Sequence, residues 1–467
     1  MPSSALAALP GLMLAAALLS WATPGWPDGA VSAPGAPPGA TSRAGESPGD
    51  EPAAEPADAR AAVDAGPRAA PAMAGPIDLA GDDEGACPSC VHVCSLRHPI
   101  CIDAPPGTRG PVALAALAAL DAADRAWATI TGVLAAPAPD GDADGSWHVQ
   151  LADRVNGGSE VRPEARDPLA RFDRASSFAR IDRSLAPGCS LDLALARAIA
   201  RASIWRAAPA TDEGSALAEA ETLARLATPC AAGDDDVQSF QSRPERAIVD
   251  PTSPDRARGA STFFGWADAM FASEPGRLVV GLWALAPTRT PPAASRWAGS
   301  PTGFDVLRTS LKDALGPGST FDDALVRFSV ARASMTPPAR LAWSIPWPSA
   351  ARRLAAPRAV APTGASYVLV DHAGAPAGAK LRLEAAWEDY GRMRWVAVKL
   401  DASGRALAEL PVTSLDRGTR TSLTIESLDA TSSVLIVGVN VGSTEHPFDP
   451  DQGEWEAHGW LLTLEGE

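Results

Sequence analysis

Cys189 stands immediately before one helical pattern, Leu191 to Arg206, and Cys230 ends the next, Glu213 to Leu226. A bridge between them closes a loop of about 40 residues and stabilises the fold by roughly 3–4 kcal/mol in the chain-entropy model. It also locks the two helices as a pair, which fixes the centre of the chain. The other four cysteines, Cys87, Cys90, Cys94 and Cys101, are crowded into one short segment. An even number of cysteines behind an export signal reads as a disulfide framework. His92 and His98, interleaved with the first group, keep structural zinc open as a second reading, although the spacing lacks the pair-and-pair layout of zinc knuckles.

The export signal is residues 5–19, an apolar, uncharged run of h-region length, followed by Ser20-Trp21-Ala22 as a small-x-small cleavage site. A spanning helix needs about 20 apolar residues, so the run predicts a signal peptide over 1–22 rather than a membrane anchor. An exported product is expected, in the periplasm, on the cell surface or outside the cell. Residues 23–86 are Pro, Ala, Gly, Ser and acidic residues with almost no large apolar side chain, the composition of a disordered acidic linker. The formal net charge of −16 argues against nucleic acid as a partner, because phosphate recognition needs a basic footprint. The acidity is concentrated in this linker and in residues 358–467.

The centre, residues 87–357, reads as α+β. Pro111 to Leu134 repeats Leu117, Leu120, Trp127, Ile130 and Leu134 at helical spacing. Trp147 to Leu151 and Ser177 to Ile181 alternate as strands. Beyond the helix pair, Ala260 to Phe271, Pro275 to Leu285, Asp305 to Leu315 and Phe321 to Ala333 are helical in period. Asp140, Asp142, Asp144 and Gly145 match the first half of a calcium loop, but its twelfth position, which demands a bidentate Glu, is Leu151. The segment is therefore an acidic turn or a non-standard calcium site, and no other cofactor is expected.

The helix pair reads LDLALARAIARASIWRAAPATDEGSALAEAETLARL. An alanine-rich helix, a short Pro-containing turn and an Asp-Glu-Gly-Ser-Ala helix start together resemble the active-site region of gluzincin-type zinc metallopeptidases, in particular the secreted ones abundant in myxobacteria. The resemblance implies a mainly helical, zincin-like central domain in which the first helix carries HExxH and the Glu of Glu-Gly-x-Ala completes the zinc site. In this chain the HExxH register falls on Arg197-Ala198-Ile199-Ala200-Arg201, and the second motif is Glu213-Gly214-Ser215-Ala216. Both histidine positions are arginine and the general-base position is alanine. Guanidinium is always protonated and carries no lone pair for zinc. Arg258-Gly259-Ala260-Ser261-Thr262-Phe263-Phe264 likewise resembles the family's Tyr-Gly-Ala-Ser-Leu-Phe-Phe helix start with its Tyr replaced, and Trp283 falls at a family Trp. The degenerate motif implies a pseudoenzyme. Arg197 and Arg201 share one helix face, where Glu213 or Glu219 can pair with them and fill the former metal cavity.

After the bridge Pro337 to Pro348 the composition changes. Tyr367–Asp371, Leu381–Trp387, Met393–Leu400, Ala406–Val412, Ser422–Ser427, Val434–Val441 and Gly459–Leu464 are seven short runs separated by turn residues. They predict a β-sandwich over 358–467, with protein or carbohydrate as its partner class by architectural analogy. The loop Glu445 to Asp451 is either acidic and solvated or a calcium loop. The expectation for the whole is an exported, catalytically inactive metallopeptidase-like protein with a binding or structural role. A hydrolase with an unrecognised site and an envelope protein binding through its sandwich are the alternatives.

Overall fold

The computed structural model describes residues 91–105, 109–141, 145–163, 176–208, 211–230, 234–250, 252–285, 307, 320–412, 418–443 and 456–467. All of these belong to one compact unit, Pro76–Glu467. The leader, the linker, Cys87, Cys90 and the helix expected at Asp305 to Leu315, save Leu307, lie outside the described residues.

The architecture is α+β. A five-stranded sheet opens the unit, built from β1 (Val91–Cys94), β2 (Ile100–Ala104), β3 (Trp147–Ala152), β4 (Ser159–Pro163) and β5 (Ser177–Asp182). Its spatial order is β1-β2-β3-β5-β4. The three middle strands run parallel, and β1 and β4 are antiparallel edges. Period-two alternation sends Val91, Val93, Ile100, Ile102, Trp147, Val149, Ala179 and Ile181 into the core. The alternate residues, His92, Cys94, Cys101, Asp103, His148 and Gln150, share the opposite face.

Helix α1 (Arg109–Trp127) packs on β1 and β2, and its last turn widens into a π-helical segment, Ala128–Val133. Next come α2 (Cys189–Ala207) and α3 (Glu213–Ala227), which pack on each other, and the Cys189–Cys230 disulfide closes their open end as expected. Asp212 caps α3 by accepting from the Ser215 N–H at 2.7 Å. Then follow α4 (Asp234–Ser242), α5 (Pro254–Gly259), α6 (Ser261–Phe271), α7 (Arg277–Leu285) and α8 (Phe321–Ala333). At Gly259 a Cβ would sit 2.1 Å from the Asp236 carbonyl oxygen, so only glycine lets α5 lie this close to α4.

The carboxy-terminal part is a two-sheet sandwich. One sheet has the order β11-β10-β13-β8-β6 and the other β12-β9-β14-β7. Its strands are β6 (Trp343–Ile345), β7 (Arg352–Ala355), β8 (Ala365–Asp371), β9 (Leu381–Trp387), β10 (Gly391–Leu400), β11 (Ala406–Val412), β12 (Arg420–Ile425), β13 (Ser433–Ser443) and β14 (Trp460–Gly466). All seven runs read from the sequence are strands. The sandwich also takes in β6 and β7, so the boundary expected at 358 falls inside it. Proline on both sides of these short strands hides their alternation.

Helices cover the outer face of the β8-containing sheet. Tyr367, Val398, Leu435, Val437 and Val439 belong to the same apolar cluster as Phe263 and Phe328 of the helices. The Tyr367 hydroxyl donates to the Ser329 carbonyl at 2.9 Å, and the Ile248 N–H donates to Thr363 Oγ1 at 2.9 Å. The sandwich is therefore packed onto the helical layer, not tethered to it. Its free face, on β9, β12 and β14, is polar, with Arg382, Glu384, Ser422 and Thr424 exposed.

Candidate functional site

Arg197 points from α2 into the space between α2, α3 and α4. Its guanidinium grips Glu221 of α3 through two nitrogens, Nη2 lying 2.9 Å from Oε1, and reaches Asp236 of α4 at 2.9 Å. Arg225 binds the same Glu221 at 2.7 Å from one turn along α3. Arg258 of α5 holds Asp236 at 3.1 and 3.2 Å. The Glu221 side chain is fully buried between the guanidiniums of Arg197 and Arg225. Burial alone depresses the Arg197 pKa, but Glu221 and Asp236 outweigh it and hold the group above its ordinary range.

One turn along α2, Arg201 binds Glu213 at the start of α3. Of the two carboxylates expected to face Arg197 and Arg201, Glu213 or Glu219, Arg201 takes Glu213. Arg197, by contrast, pairs with Glu221 and Asp236 instead of Glu213 or Glu219. Ala198, between Arg197 and Arg201 on α2, is buried and brings no functional group. Arg197 and Arg201 are both closed into ion pairs, and guanidinium carries no lone pair for a metal.

The sequence did not single out Glu221 or Asp236. The Glu221/Arg225 spacing of four was visible, but the Asp236 connection needs α4 to fold back across α2. Gly259 lets α5 pack closely on the same α4. Gly214, in the first turn of α3, is also closely packed: a Cβ there would lie 3.3 Å from the Val249 side chain.

A second buried polar group lies deeper. Glu219 is 1 % exposed and accepts from the Trp283 indole N–H at 2.7 Å. Burial pushes its pKa up to about 8; the indole hydrogen bond and Arg201 oppose this, and buried Asp212 adds to it. The folded state therefore favours the protonated acid. That stabilisation is complete below the ordinary value near 4.5 and is lost as pH rises through about 8. Glu219→Gln should hold its stability across this window while the wild type declines, the two diverging by about 3 kcal/mol from about pH 5 to about pH 8. Denaturant unfolding at several pH values checks this, and parallel pH profiles would contradict it.

The first cysteine group contributes a Cys94–Cys101 disulfide across β1 and β2. Cys87 and Cys90 lie outside the described residues, as do Asp142, Asp144 and the loop from Glu445 to Asp451. Asp140 is engaged by Arg206 of α2, so one carboxylate of the half calcium loop ties that loop to the helix pair.

No family model and no curated protein matches the sequence. Among solved structures, the chain is similar to the pre-peptidase C-terminal domain of a Bacillus anthracis collagenase, with 8% identity over 27% of this chain and 97% of that one and a TM-score of 0.18. It is similar to a CBM4 structure at 14% identity, covering 25% of this chain and 82% of that one, TM-score 0.15. The enzymatically active domain of bacteriophage CBA120 tailspike protein 4 matches at 11% identity over 25% of this chain and 15% of that one, TM-score 0.17. At this level of similarity none of them assigns a function.

Proposed function

We propose that the chain is an exported, catalytically inactive relative of gluzincin-type zinc metallopeptidases, with a binding or structural role. The observation that carries this reading is the Arg201–Glu213 ion pair, which joins a histidine position to the ligand-carboxylate position of the resembled motifs. Cations permanently occupy the places where the reaction needs lone-pair donors, and Ala198 offers no base for activating water. The retained close contacts of Gly214 and Gly259 support a centre that kept its packing after its chemistry was lost.

The two disulfides favour an oxidising compartment and so support export. No helix among the described residues is long and apolar enough to cross a membrane. With one sheet of the sandwich covered by helices, recognition of a protein or carbohydrate partner falls to the polar face of β9, β12 and β14. Incubation of the purified chain with an unfolded protein substrate tests the reading. No hydrolysis that disappears on chelation is expected, and turnover abolished by chelator and by Glu213→Gln would overturn it.

A further inference from the structure

The outer face of the amino-terminal sheet carries a second constellation, remote in sequence from the helix pair. His92 on β1, Asp103 on β2 and His148 on β3 occupy three adjacent strands. Register places His92 opposite Asp103, and His148 opposite Cys101, two residues before Asp103. His92 Nδ1 lies 2.6 Å from Asp103 Oδ1, and His148 Nδ1 lies 2.8 Å from Oδ2 of the same carboxylate. The two imidazoles stack with centroids 6.0 Å apart. One donor atom from each of the three residues lies within 4.8 Å of the others.

We propose that His92, Asp103 and His148 form a three-ligand site for a divalent ion of the zinc class, built on the outer face of the sheet. Zinc bonds imidazole nitrogen and carboxylate oxygen at about 2.0–2.2 Å, which sets tetrahedral donors roughly 3.3 Å apart. With one donor atom from each residue within 4.8 Å of the others, no pair has to move by more than about 1.5 Å to reach that spacing. Rigid strands supply all three donors, so little ordering is required on binding. The other nitrogen of His92 lies 3.1 Å from Cys94 Sγ, which helps to fix that ring. Cys94 and Cys101 are joined to each other and present no thiolate, so the donor set is two nitrogens and a carboxylate. Such a set suits zinc, with copper(II) and nickel(II) as competitors, and three protein ligands leave a position for water. An ion here ties the edge strand β1 to β2 and β3.

Equilibrium dialysis of zinc(II) against the full chain, purified without reductant and stripped with chelator, tests the site. One equivalent is expected to bind. His92→Ala, Asp103→Asn and His148→Gln should each weaken it by about tenfold or more, while Cys87→Ser/Cys90→Ser and His98→Ala leave it unchanged. His92 and Asp103 are exposed enough that their variants report on binding even if His148→Gln folds poorly. Cobalt(II) substitution gives an independent readout, with a spectrum of nitrogen and oxygen ligation expected. Absence of binding, binding indifferent to the three variants, loss of binding in the Cys87/Cys90 variant, or a sulfur-to-cobalt charge-transfer band would each overturn the proposal.

Discussion

Replacing Arg197 with alanine is expected to destabilise the helical layer by about 3–5 kcal/mol, the cost of stranding a buried charge. Glu221 is fully buried and Asp236 nearly so; each loses one of its guanidinium partners in this variant. Arg225 and Arg258 remain, which places the loss toward the lower end of that range. Arg201→Ala provides the comparison. Its partner Glu213 is 60% exposed, so water takes over the carboxylate, and the loss should be about 1 kcal/mol. Denaturant unfolding monitored by far-ultraviolet circular dichroism measures both. Equal, small losses would show that the Arg197 network does not hold the helices together.

Removing the Cys189–Cys230 bridge is the second large perturbation. The disulfide spans 41 residues and closes the end of the α2–α3 pair opposite the Asp212 cap. The chain-entropy model gives about 4 kcal/mol for a loop of this size. A Cys189→Ser/Cys230→Ser variant should unfold at correspondingly lower denaturant, with a slope equal to or steeper than that of the bridged chain because its unfolded state is less restricted. A shift worth less than about 1 kcal/mol would mean that packing of α2 on α3 alone restricts the unfolded chain. Comparing serine variants avoids reductant, which would also open Cys94–Cys101.

Period and cysteine placement made most of the fold legible. Phe321 to Ala333 begins behind Thr320, whose side chain forms a reciprocal capping box with Asp323, and the structure has the helix at those bounds. Leu381–Trp387 and Ala406–Val412 alternate cleanly and are strands at those bounds. Elements were missed where local signals conflict. The strands β1 and β2 lie inside a cysteine-rich segment whose side chains suggest a knot, and β4 ends on Pro163. Helix α4, which the sequence analysis did not assign, begins with three aspartates that favour the positive end of the helix dipole.

The candidate sites were legible to different depths. Helix spacing put Arg201 within reach of Glu213 or Glu219, and the structure pairs it with Glu213. Arg197 with Asp236 did not, since a long-range return of the chain decides it. The His92, Asp103 and His148 constellation was half visible. His92 stood among the cysteines, but Asp103 and His148 join it only through the strand order β1-β2-β3, which one sequence does not declare.

The proposed function places ion pairs in the helix pair where the resembled enzymes hold zinc. Zinc content and protein hydrolysis should be measured together on the His92→Ala/His148→Gln variant, which removes the proposed strand site and leaves the helix pair intact. No tightly held zinc and no chelator-sensitive turnover are expected in that variant. Stoichiometric zinc that leaves together with peptidase activity on chelation, both abolished by Glu213→Gln, would contradict it.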